Sequence, residues 1–159
     1  MKIKRIVKVF AVVFGILFIL IQFVQPNREN PPVDLAQTMQ TELNVPPNVA
    51  SLLRRGCMDC HSNETHWPWY AYVAPVSWLT SYDVAEGRKH FNMSEWGKYK
   101  FSKKVNILGG INSTVKEKEM PLPKYILLHP EADFSDAERD TLSTWARLAA
   151  ESFMGVEEE

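Results

Sequence analysis

Cys57-Met58-Asp59-Cys60-His61 holds the only two cysteines of the chain. Two thiols three residues apart, followed at once by a histidine, make the Cys-x-x-Cys-His pattern of c-type haem attachment. The spacing has a physical reason. On a helical turn, residues three and four apart share a face. Both thiols can then add to the two vinyl groups of one porphyrin. His61, four residues after Cys57, can place its imidazole under the iron. The pattern therefore predicts one haem c, attached covalently through Cys57 and Cys60, with His61 as an axial iron ligand. Three other uses of the pair compete. A thioredoxin-like dithiol calls for a βαβ context, which the surrounding sequence lacks. A structural disulfide leaves His61 without a role. A zinc site needs four ligands, and adding His66 to the motif gives no usual finger spacing.

The second axial ligand has to come from a methionine or histidine outside the motif. Met58 lies within the attachment turn and cannot reach over the iron. Met120 precedes Pro121 in Met120-Pro121-Leu122-Pro123, where the prolines keep the chain extended. Such a segment can run past a haem face. A neutral thioether there favours reduced iron and raises the potential. His66, His90, His129 and Met93 are the remaining candidates, along with an iron left five-coordinate. His129, just before Pro130, reads as a surface or capping histidine.

Around the motif the pattern is helical. Asn48 is placed to cap a helix into the cysteines, with Val49, Leu52 and Leu53 on one face. Asp34 offers a cap for Leu35 to Leu43. Ser77 offers one for a helix to about His90, and Ser94-Glu95 opens another around Trp96. A helix is expected over 105–118, with Gly109-Gly110 as a weak point. Ser135 and Glu138 form a capping box. The helix behind them puts Leu142, Trp145, Ala146 and Ala149 on one stripe. No strand-like alternation competes, so the fold class expected is all-α. The final Glu157-Glu158-Glu159 reads as a solvated tail.

Toward the N-terminus, Val9 to Val24 carries no charge and one glutamine. Counted from Ile6, and tolerating Lys8, the run approaches the roughly 20 residues that cross a bilayer. Lys2, Lys4, Arg5 and Lys8 precede or enter it, which predicts an inside N-terminus. No small-x-small site ends the run, which favours an uncleaved anchor over a cleaved signal peptide. The organisation expected is thus a signal-anchor or transmembrane helix over 1–25, a proline-bearing linker and short helix over 26–47, and a haem domain over 48–155. That places the chain as a single-pass protein of the cytoplasmic (inner) membrane with its haem domain on the periplasmic side. The chain as a whole has net charge −1. Setting aside the four N-terminal cations leaves 14 basic against 19 acidic residues, a net of −5. That balance argues against nucleic acid as a partner.

Trp67-Pro68-Trp69-Tyr70, Tyr72, Trp78 and Trp96 are many aromatics for a small domain. Trp67, Trp69, Tyr70 and Trp78 are candidates to wall a haem pocket and to donate to propionates. Ordinary core packing would use them equally well.

The stretch from Cys57 to Trp145 resembles a family of membrane-anchored bacterial haem-binding domains. The residues that carry the likeness are Cys57 to Thr65, Trp67-Pro68-Trp69-Tyr70, Ala74 to Leu79, Asp83 to Arg88 and Ser94-Glu95-Trp96. Met120-Pro121-Leu122, Tyr125 and Ser135 to Trp145 complete it. That family is similar to class I c-type cytochromes. The resemblance implies a cytochrome c-like helical domain and Met120 as sixth ligand. An electron carrier that exchanges electrons with a redox partner protein at the membrane surface is the leading function. A haem-based peroxidase or a gas or redox sensor, with an open or displaceable sixth position, is the alternative. A third possibility uses Cys57 and Cys60 as a disulfide without haem.

Overall fold

The computed structural model describes residues 2–155 and is helical, with no strand among the described residues. The tail at Glu157-Glu158-Glu159 lies outside those residues. The all-α expectation is met.

The core grows from the longest apolar stripes. Helix α6 (Phe101–Lys116) lays Ile107, Leu108, Ile111 and Val115 against helix α8 (Asp136–Gly155), which buries Leu142, Ala146 and Ala150. This is the 3.6-residue period at work. Gly109 and Gly110 do not break α6. The expected capping box holds α8: Ser135 N donates to Glu138 Oε2 at 2.8 Å, and Glu138 N donates to Ser135 Oγ at 3.3 Å. Helix α3 (Pro47–Gly56) adds Val49, Leu52 and Leu53 to the same core. It starts one residue before Asn48, because Pro47 takes the first helical position, where its missing N–H costs nothing.

Shorter elements and helix α5 complete the domain. The stretch expected as one helix over 35–43 divides at Thr38. It becomes a 3₁₀ turn (Leu35–Gln37) and helix α2 (Met39–Glu42), whose first turn the Thr38 hydroxyl caps. Met39 is fully buried, so this part of the expected linker belongs to the core. Helix α4 (Met58–His61) follows α3 directly and carries the cysteine–histidine motif. Helix α5 (Val76–His90) ends where expected, and packs on α4. A 3₁₀ stretch (Met93–Lys98), capped by Asn92, buries Met93 and Trp96 completely. A short helix α7 (Pro123–Ile126) leads from the Met120 segment toward α8.

The transmembrane expectation is overturned. Helix α1 (Lys2–Ile21) exists, but no helix among the described residues is long and apolar enough to cross a membrane. The reason is in its first two turns, where Lys2, Lys4, Arg5 and Lys8 lie within the helix rather than before it. The uncharged part that remains, 9–21, rises about 20 Å, against a hydrocarbon core of about 30 Å. Beyond Ile21 the chain turns onto the domain. Gln22 Nε2 donates to the Ala74 carbonyl at 3.0 Å, and Gln22 Oε1 accepts from Ala74 N at 2.9 Å. Trp78 Nε1 donates to the Val24 carbonyl at 2.7 Å.

Candidate functional site

The Cys-x-x-Cys-His motif sits in a tight corner between helices. Cys57 ends α3 and opens α4, and the His61 N–H returns to the Cys57 carbonyl at 2.9 Å. This one turn brings Cys57, Cys60 and His61 together, as their spacing predicts. Helix α5 presses on the turn at Gly87. A Cβ there would stand 2.9 Å from both the carbonyl carbon and the Cβ of Cys60, so only glycine permits this approach.

His61 is held in one orientation. Its ring stacks on Phe91, centroids 4.2 Å apart and planes 15° from parallel. Its Nδ1 lies 3.3 Å from the Phe91 carbonyl. With Nδ1–H donating there, Nε2 is the nitrogen with a free lone pair. Burial holds the imidazole below its usual pKa, which keeps it in the neutral, ligating form. The hydrogen bond to Phe91 opposes that shift without reversing it.

Two adjoining cavities, of about 350 Å³ and 170 Å³, both have Gly56, His61, His90 and Met120 in their walls. Cys57 lines the larger one and Cys60 the smaller. Ile107, Ile111, Val115 and Phe91 make the larger cavity largely apolar, with Lys103 and Asn106 as polar points on α6. The cleft therefore offers two imidazoles (His61 and His90), one thioether and two thiols around a largely apolar space. That is a donor set suited to a haem. It is not suited to zinc: among the described residues no three His, Cys, Asp or Glu side chains converge as a metal site.

The thiols themselves are free. Burial, and then the neighbouring Cys60 sulfur, pushes Cys57 up to about 12. Burial, followed by Asp59 and Asp83, pushes Cys60 up to about 12 despite Lys124 and Arg88. A redox dithiol needs a lowered thiol pKa, so this environment disfavours thioredoxin-like chemistry.

The other sequence candidates scatter. Met93 is in the core, and Met58 is buried with its sulfur 3.5 Å from Gln40 Nε2. None of the four aromatics proposed as pocket walls lines the cleft shared by His61 and Met120. Trp69 is exposed, and Trp78 serves the Val24 contact. Trp67 and Tyr70 line a cavity of about 110 Å³ that borders the smaller one, with Asp59, Cys60, Asp83, Leu122 and Tyr125 in the walls of both. His129 borders that cavity and is no surface histidine: it stacks on Tyr125 at 4.1 Å and lies 2.6 Å from the Tyr70 hydroxyl and 3.0 Å from Glu131. Tyr125 in turn donates to Asp59 of the motif at 2.8 Å.

Two site residues, Phe91 and Asn106, carry no motif in the sequence. Phe91 follows the expected end of α5, and that position was the available signal.

Residues 16–148 match the family described as "Haem-binding domain". The chain is also similar to the cytochrome c peroxidase Ccp of Escherichia coli (strain K12), 28 % identical over 132 residues. The match takes in 80 % of this chain and 28 % of the peroxidase, so the chain spans under a third of that protein's length. No solved structure matches.

Proposed function

This chain belongs to the haem-binding domain family, and on that premise we propose that it is a mono-haem c electron-transfer protein. In this proposal Cys57 and Cys60 form the thioethers, and His61 and Met120 ligate the iron. The observation that carries it is His61: its Nδ1 lies 3.3 Å from the Phe91 carbonyl, and the residue lines a cleft that Met120 also lines. A haem held there supplies one-electron redox chemistry at a potential raised by the thioether. The residues do the rest. Phe91 fixes the imidazole plane, Ile107, Ile111 and Val115 exclude water, and Lys103 and Asn106 are placed to meet propionates. Electrons pass to and from a redox partner protein through the haem edge.

A second proposal follows from the likeness to a cytochrome c peroxidase. There the sixth position would be open or displaceable, and His90, at the same cleft, would be the acid–base group.

An absorption spectrum of protein made with haem-maturation machinery tests both, first denatured and then native. Haem that survives denaturation supports thioether attachment, and haem that is lost refutes it. A native methionine-to-iron charge-transfer band, abolished in Met120→Ala while haem stays attached, supports the electron carrier. A high-spin native spectrum favours the peroxidase-like alternative.

A further inference from the structure

Arg139 is a guanidinium in the interior, 6 % exposed, on the second turn of α8. Burying a cation is costly unless its donors are satisfied. Its nearest carboxylate, Asp133, is exposed and 3.9 Å away. Its donors go instead to backbone carbonyls. Nη1 donates to Met120 at 2.8 Å and to Val115 at 3.2 Å, and Nε donates to Phe134 at 3.1 Å.

Those three carbonyls belong to segments that nothing in the local sequence would hold together. Val115 is in the last turn of α6, where the helix end carries partial negative charge, and its carbonyl also accepts from the Lys118 N–H at 3.2 Å. Lys118, in the left-handed region at φ 61°, then reverses the chain. Met120 follows two residues later. Its N–H donates to the Thr114 carbonyl at 3.1 Å, and its own carbonyl meets Arg139. Pro121 is buried against Gly56, the residue before Cys57, where a Cβ would stand 2.7 Å from the Pro121 ring. The Met120 backbone is thus gripped on its N–H by α6, on its carbonyl by α8 and on its following residue by the attachment turn.

We infer that Arg139 is a positioning residue for the sixth iron ligand: it holds the Met120 carbonyl so that the thioether stays over the cleft. The inference rests on Met120 being that ligand. A segment without the clamp spends more time with its sulfur away from the iron. The apparent affinity of a competing ligand rises with the fraction of time the position is open. Lysine at 139 keeps the charge but cannot reach three carbonyls with a planar fork.

The experiment uses the full-length haem-loaded ferric protein, with Arg139→Lys, Arg139→Gln and Met120→Ala beside the wild type. Three quantities are read: the methionine-to-iron charge-transfer band, the affinity for imidazole, and the helix content. Arg139→Lys is expected to keep its haem and helix content, weaken the band, and bind imidazole at least about tenfold more tightly, toward the Met120→Ala limit. Arg139→Gln should go further. If Arg139→Gln does not fold, Arg139→Lys decides. A wild type that shows the band, with variants whose band is intact and whose imidazole affinity stays within about twofold, overturns the role of Arg139 alone. A wild type that lacks the band and matches Met120→Ala in imidazole affinity overturns the ligation by Met120, and this inference with it.

Discussion

Gly87→Ala tests the packing on which the histidine depends. The new methyl would meet the Cys60 carbonyl carbon and Cβ at 2.9 Å, where carbon contacts settle at about 3.5–4.0 Å. Helix α5 must therefore back away by roughly 0.6–1 Å, because the obstacle is mostly backbone and cannot rotate aside. Overpacking of this kind costs about 1–3 kcal/mol. Alanine returns about 0.5–1 kcal/mol as a better helix former than glycine. Phe91 caps α5 through its N–H to the Gly87 carbonyl, and it moves with the helix. Its bond to His61, already 3.3 Å long, then passes beyond bonding distance and forfeits about another 0.5–1.5 kcal/mol. The net expectation is a loss of about 1–3 kcal/mol. Gly109→Ala is the control. It lies within α6 with nothing inside 4 Å of the added methyl, and it should gain about 0.5–1 kcal/mol from helix propensity alone. Urea unfolding of both variants measures the contrast. Should the two alanines stabilise alike, the approach of α5 to the motif is soft, and the argument for a glycine-dependent site fails.

The capping carboxylate of α8 makes stability depend on acid pH. Glu138 is held down at about 2, first by the Ser135 N–H, then by the Ser135 hydroxyl and by Arg55. A depressed carboxylate contributes stability above its unfolded pKa of about 4.3 and loses it as pH falls toward 2. Unfolding midpoints of the wild type should therefore drop across that window more steeply than those of Glu138→Gln, and parallel slopes would contradict the cap. The haem-free folded chain should alkylate at Cys57 and Cys60 roughly two to three orders of magnitude more slowly at pH 8 than the same chain in urea, because both thiols are pushed up to about 12. Fast alkylation of the folded form would revive the dithiol reading. Gln22→Ala removes both side-chain bonds to Ala74, so limited proteolysis near 22–26 should accelerate while the global urea midpoint stays put. Unchanged cleavage would mean that Trp78 alone docks the segment.

What the sequence made legible was local. The cysteine–histidine turn is closed by a bond between residues four apart, and the Ser135–Glu138 box by one between residues three apart. The end of α5 at His90 and the apolar stripe of α8 follow the same short-range rules. Helix α1 shows where such rules misled. The apolar run extends to Val24, but the helix stops at Ile21 and takes its lysines inside. The stop has a distant cause, the bonds that Gln22 and Val24 make with Ala74 and Trp78. The aromatic cluster also has distant partners: Trp67 and Tyr70 line a cavity beside Cys60, and the Tyr70 hydroxyl lies 2.6 Å from His129, fifty-nine residues away.

The cleft has the same two-level construction. His61 is placed by its own turn, so its position can be read from five residues. Met120 is fifty-nine residues further on, and extended chain ahead of a proline does not say where it will lie. Its place follows from long-range contacts: Arg139 on its carbonyl, and Pro121 against Gly56. Arg55 and Arg139 flank the Phe134 ring, which also meets Gly56. Arg55 at the same time pairs with the cap carboxylate Glu138. One connected cluster thus ties the start of α8 to both walls of the cleft. A change at the cap of α8 should therefore reach the Met120 side of the site without touching His61, whose support comes from Phe91 and α5.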